Sequence, residues 1–104
     1  MSLKFEWNKA KAMRNYRKHG VTFALARGVF EDAFAVEFVD DRQEYGEDRF
    51  VIIGMVDGDT LNVVYTERDD VIRIISARRA TKHEEAAYFQ QEEQGTASHD
   101  AKPN

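Results

Sequence analysis

The sequence predicts an α+β fold: an antiparallel sheet of about four to five strands, with two helices N-terminal to it and one C-terminal. Three observations carry that expectation. Residues 9–30 place apolar side chains at helical spacing. Residues 35–77 hold four alternating or β-branched runs joined by short polar connections, and such consecutive strands pair most economically with their neighbours. Thr81-Lys82-His83-Glu84 then has the pattern of a capping box.

Taken in order, Leu3-Lys4-Phe5-Glu6-Trp7 alternates apolar and charged residues and reads as a short strand. Asn8 suits the N-cap of a helix from Lys9 to about His19, with Gly20 placed to end it. Ala12, Met13 and Tyr16 give that helix its apolar stripe, while Lys11, Arg14, Arg17 and Lys18 cover much of the rest. Those cations suit either a solvated face near the C-terminal dipole or direct contact with phosphate. Thr22 caps a second helix with Phe23, Ala26, Val29 and Phe30 inward, ended by Glu31-Asp32. Ala35–Val39 and Arg49–Val56 read as strands around a polar loop. Asp57-Gly58 signals a tight turn into the next strand. The last helix should run from Lys82 to about Glu92 with Ala86, Phe89 and Tyr88 inward. Residues 93–104 form a polar tail with too little apolar surface to offset its ordering entropy. Residues 1–92 are thus one domain.

The most unusual stretch is Leu61 to Arg79, two apolar runs joined through Arg68-Asp69-Asp70. With Asp69 and Asp70 as the turn, Arg68 faces Val71 and Thr66 faces Arg73. A straight register then groups Thr66, Arg68 and Arg73 with Val64, Ile75 and Ala77. It groups Glu67 and Arg78 with Val63, Tyr65, Ile72, Ile74 and Ser76 on the other face. Arginine grips phosphate bidentately, so the concentration of guanidinium groups fits a phosphate-binding surface. Edge protection and cross-strand salt bridges would use the same residues.

At 104 residues, the chain supports one core, and 42% hydrophobic with 33% charged residues is an ordinary globular composition. The absence of cysteine excludes disulfides and thiolate metal sites. His19, His83 and His99 lack zinc-ligand spacing, so no metal and no cofactor is expected. No apolar run reaches membrane-spanning length and no signal-peptide core opens the chain, which makes a cytoplasmic location the default. The net charge of −4 hides an asymmetry: residues 1–30 balance at +6, residues 31–70 at −10 and residues 71–104 at zero. A basic third beside an acidic middle makes a one-sided field.

In sequence, the chain resembles the BrnT family of ribonuclease toxins from bacterial type II toxin–antitoxin pairs. The resemblance rests on Phe5-Glu6-Trp7-Asn8, Lys11-Ala12, Asn15 and Lys18-His19-Gly20-Val21 with Phe23 and Ala26. It continues through Glu47, Arg49, Ile53-Gly54 and Tyr65-Thr66-Glu67-Arg68, and closes with Ile72–Ala80, Glu84 and Tyr88. The family usually has Asp where this chain has Asn8, and both residues cap helices. The resemblance implies a RelE-like fold and RNA cleavage that inhibits translation. It also implies neutralisation by a BrnA-like antitoxin of ribbon-helix-helix character, in a heterotetramer that reaches operator DNA only through the antitoxin.

Cleavage of RNA without a metal needs a base for the 2′-hydroxyl, an acid for the leaving 5′-oxygen and cations around the charged phosphorus. Arg68 and Arg78 are the catalytic cations expected, with Glu67 as the carboxylate base and His19 or His83 as acid. Lys11, Lys18, His19, Arg49, Arg73 and Lys82 are the expected substrate-binding residues. A salt bridge is the structural alternative for Glu67 and a helix-end position that for His19, while Glu84 is assigned to capping. Two other readings stand beside the ribonuclease. One is a non-catalytic module that only holds an antitoxin and assists repression; the other is a small nucleic-acid-binding domain.

Overall fold

In the computed structural model, residues 3–41 and 46–97 are described, with side chains to residue 90. The elements in order are β1 (Lys4–Glu6), α1 (Lys9–His19), α2 (Phe23–Ala26), a 3-10 turn (Arg27–Glu31), β2 (Val36–Val39), β3 (Phe50–Val56), β4 (Asp59–Arg68), β5 (Val71–Arg79) and α3 (Lys82–Ala97). The five strands form one sheet in the order β1-β5-β4-β3-β2. The α+β class expected from the sequence is therefore the observed one. The sheet is mixed, however, because β1 pairs parallel with β5. Consecutive antiparallel pairing from β2 to β5 leaves β5 one free edge, and β1 fills it.

Local chemistry accounts for the boundaries. Lys11 N–H donates to Asn8 Oδ1, Leu25 N–H donates to Thr22 Oγ1, and Gly20 ends α1 at φ +74°. The two tight hairpins turn at Asp57-Gly58 and Asp69-Asp70, all four with positive φ, as two-residue turns matched to strand twist require. At α3, Thr81 and Glu84 exchange hydrogen bonds, so the capping box forms as its sequence predicts.

Val21, Phe23, Ala26 and Val29 close one face of the sheet against Ile52, Leu61, Val63, Tyr65, Ile72, Ile74 and Ala77. This packed face holds most of the buried apolar surface. On the opposite, open face a smaller cluster joins Val51, Ile53 and Val64 beneath Tyr88 of α3. Tyr88 donates to Asp32 Oδ2 at 2.6 Å, and Met55 and Phe34 N–H also donate to Asp32. Burial alone would raise the Asp32 pKa, but these hydrogen bonds outweigh it and hold the carboxyl below its ordinary value.

Three sequence expectations are corrected. Met13 and Tyr16 are exposed, and the inward position on α1 is Asn15. Its amide donates to the carbonyls of Val21 and Ala77 and accepts from Ala77 N–H. Asn15 thus satisfies β5 backbone beyond the Val71–Arg73 stretch that β1 covers. On α3, Tyr88 is buried while Ala86 and Phe89 are exposed, and the helix continues past Glu92 to Ala97. Residues 98–104 of the expected tail lie outside the described residues.

The third correction concerns strand faces. Register slips between Val64 and Tyr65: Val64 pairs Ser76 but Tyr65 pairs Ile74, so Ile75 is a bulge in β5. Ala77 therefore points into the packed core, not beside Thr66 and Arg68. Arg78 joins Asn62, Val64, Thr66, Arg68 and Arg73 on the open face, away from Glu67.

Candidate functional site

Two adjoining depressions mark the open face. The larger, a groove of about 530 Å³, is lined by Lys18 and His19 at the end of α1, by Ser76 and Arg78 of β5, and by Asn62 and Val64 of β4. Val51, Phe38, Val39, Asp40, Asp41 and Glu84 complete it. The smaller, about 370 Å³, is lined by Glu6, Glu47, Thr66, Arg68, Asp69, Val71 and Arg73. Val64 and Thr66 lie two residues apart on β4, about 7 Å, so the depressions follow one another along a single strand.

Arg78 is the best-held cation of the groove. It lies opposite Asn62 in the sheet. Its Nη1 donates to Glu84 Oε1 at 2.9 Å and its Nη2 to Glu84 Oε2 at 2.8 Å, a bidentate pair. Nη1 also donates to the Arg79 carbonyl. Guanidinium has five N–H donors, and these three bonds leave Nε–H and one Nη2 hydrogen for a ligand. The Arg78 side chain is 34% exposed, so the bidentate pair fixes a guanidinium that is still open to solvent. Glu84 further accepts from Asn62 Nδ2 and Thr81 N–H. Its hydrogen bond from Arg78 is the main cause that holds the carboxyl below its ordinary value, against the opposing effect of burial. Glu84 therefore caps α3 and orients Arg78 at once, a double duty that its sequence position alone does not reveal.

Asn15 brings α1 into register with this pair, since it binds Ala77, the residue before Arg78. Lys18 and His19 at the end of α1 thereby line the same groove. Of the residues expected from sequence, the structure brings together Lys18, His19 and Arg78 in the groove, and Arg68 with Arg73 in the neighbouring depression. Arg73 donates to Glu6 at 3.0 Å between exposed side chains. Arg49 stands 3.7 Å from Glu47. Glu67 pairs with Ile72 on the packed-face side, opposite Arg68 and Arg78. Lys11 and Lys82 are exposed and line neither depression. Sequence reasoning gave Asn62 and Ser76 no part in the site and Glu84 a capping role only.

The groove thus offers an oriented guanidinium, a lysine and a histidine beside Asn62 and Ser76. Such a set can bind a phosphodiester, stabilise added charge on it and transfer a proton at its rim. Residues 7–84, which include all groove residues, match the family model described as ribonuclease toxin, BrnT, of type II toxin-antitoxin system. The chain belongs to the BrnT family. No curated protein matches it significantly. The BrnT match extends from the Trp7 side of β1 to the capping box of α3, so the fold segment that carries the groove is the segment that defines the family. Among the described residues, no group of acids and histidines is arranged to hold a metal ion, and no helix is long and apolar enough to cross a membrane.

Proposed function

We propose that this BrnT chain cleaves RNA in the open-face groove without a metal ion, and so inhibits translation until its antitoxin binds. The observation that carries this reading is the bidentate Arg78–Glu84 pair beside Lys18 and His19. A phosphodiester seated on the free Arg78 donors places its added negative charge against a guanidinium that needs no reorganisation. Lys18 supplies a second cation. His19 has the imidazole needed to take the 2′-hydroxyl proton or return one to the leaving 5′-oxygen. Ser76 and Asn62 offer neutral hydrogen bonds to the same ligand. Arg68 and Arg73 extend the binding track along the strand. Glu67 has no part in this arrangement, since it faces away from Arg78.

The chemistry is attack of the 2′-oxygen on the adjacent phosphorus as the P–O5′ bond breaks. It leaves a 2′,3′-cyclic phosphate and a free 5′-hydroxyl. The purified chain, incubated with RNA and a metal chelator, should yield those ends. A 2′-O-methyl group at the cleavage site should block the reaction. Intact RNA under these conditions, with intact RNA also after divalent metal is restored, would leave a binding module in place of the enzyme.

The proposed partner is a BrnA-like ribbon-helix-helix antitoxin. Two toxin chains held by an antitoxin dimer form the heterotetramer, operator DNA is contacted through the antitoxin, and the complex acts in the cytoplasm.

A further inference from the structure

The larger groove has an end that the cleavage chemistry leaves unused. Register aligns Phe38, Val51, Val64 and Ser76 in one row across the open face. With strands about 4.8 Å apart, the ends of that row are about 14 Å apart. The β5 end carries Arg78, Lys18 and His19. The β2 end carries Phe38, 48% exposed, followed by Asp40 and Asp41. Between them, Val51 and Val64 form an apolar floor.

Phe38 is held in this position. β2 pairs with β3 through Val36, Glu37, Phe38 and Val39, and the Tyr65 hydroxyl reaches across the packed face to donate to Glu37 at 2.9 Å. Alternation then fixes the Phe38 ring on the open face. The exposed carboxylate of Asp41 disfavours phosphate at this end. A flat base is suited to it, because sheet-borne aromatic rings stack bases and every base has a π-face. Asp40 is buried, with its N–H on the Arg49 carbonyl, whereas Asp41 is exposed at the groove rim. A carboxylate there accepts hydrogen bonds from a base edge. Guanine presents two adjacent donors, N1–H and its amino group. Adenine and cytosine set an acceptor beside the amino group, and uracil flanks one N–H with two carbonyls.

We propose that Phe38 stacks the nucleobase next to the phosphate held at Arg78, and that Asp41 makes guanine the preferred base there. This rests on the ribonuclease reading and adds to it a specificity site. A protein segment of the antitoxin is the rival occupant of the Phe38 ring. The groove's polarity, with phosphate-binding groups at one end and an acceptor at the other over a base-sized apolar floor, favours a nucleotide.

The test uses the full chain and uncleavable 2′-O-methyl hexanucleotides, uracil throughout except for a central guanine, adenine, cytosine or uracil. The affinity of each is measured by fluorescence anisotropy. The guanine oligonucleotide should bind tightest. Phe38→Ala should weaken the guanine oligonucleotide about 10-fold or more with an unchanged melting temperature, and Phe38→Trp should restore binding. Asp41→Asn should remove the guanine advantage while the other three oligonucleotides bind as before. Wild-type affinity in Phe38→Ala, no binding of any hexanucleotide, or a preference untouched by Asp41→Asn would overturn the proposal. So would a Phe38→Ala variant that binds RNA normally but no longer co-purifies with antitoxin. If wild type shows the guanine preference yet cleaves no RNA, the base site stands and the enzymatic reading falls. If it cleaves RNA and Phe38→Ala is indistinguishable from wild type in both assays, the reverse holds.

Discussion

Glu84 shows how one side chain ties stability to the site. Its carboxylate receives Arg78, Asn62 and Thr81, and the guanidinium bond above all lowers its pKa from the ordinary 4.5. A carboxyl lowered in the folded state contributes stability that is complete above its unfolded pKa. That contribution is lost as pH falls through the lower folded value. Asp32 has the same sign, from an ordinary 3.8. Glu84→Gln should therefore destabilise the chain by about 1–3 kcal/mol at pH 7, the worth of a hydrogen bond to a charged partner. The gap to wild type should narrow as pH falls below about 4.5. Melting temperature against pH for both proteins checks this, and a gap independent of pH would point to packing alone. The duties of Glu84 were half legible in sequence. Thr81-x-x-Glu84 announces a cap, because capping is set by local spacing. The bond to Arg78 depends on how α3 folds back onto the open face, where Tyr88 packs on β3 and β4, and no local pattern encodes that. Asn15 was missed for a similar reason: its partners, Val21 and Ala77, become neighbours only in the folded chain.

At the scale of elements, the hairpin turns and helix caps were readable because each rests on two to four residues of backbone chemistry. The bulge at Ile75 was not placed, and it moved Arg78 to the open face. A signal existed: strict alternation from Ile72 and Ile74 would carry polar Ser76 and Arg78 into the packed core, whereas a bulge sends Ala77 there instead. The parallel seat of β1 was hidden too, since pairing across more than sixty intervening residues leaves no local trace. Packing of the 3-10 turn on β3 has a sharper test. A Cβ at Gly54 would lie 3.2 Å from Val29 Cβ, 3.3 Å from Ala35 Cβ and 3.3 Å from the Val29 carbonyl oxygen. Gly54→Ala should overpack this contact and cost about 1–3 kcal/mol. The expected readout is a lower urea midpoint with an unchanged denaturant slope.

For the whole molecule, charge distribution matters more than the total of −4. The sequence located the charge asymmetry, and within the larger groove the fold sets Lys18, His19 and Arg78 towards β5 and Asp40 and Asp41 beyond β2. If Arg68 contacts one phosphate of a bound strand, Arg68→Ala should reduce the slope of log affinity against log salt by about 0.7. Anisotropy titrations between low and physiological salt measure that slope directly, and an unchanged slope removes Arg68 from the RNA track. Assembly is tested separately. Light scattering of the co-purified toxin and antitoxin should give a two-to-two complex, and a one-to-one species with no higher assembly would contradict it.

The central claim is that Arg78 stabilises the transition state of RNA cleavage, and a paired measurement on Arg78→Ala addresses it most directly. Removing Arg78 also strips Glu84 of its main partner, so some loss of stability is expected. Cleavage should therefore be measured under single-turnover conditions well below the melting temperature, with folding verified on the same sample by circular dichroism. Arg78→Ala should be fully folded under these conditions, with a rate about 100-fold or more lower, as loss of a transition-state cation requires. A folded Arg78→Ala protein that cleaves RNA at the wild-type rate would contradict it.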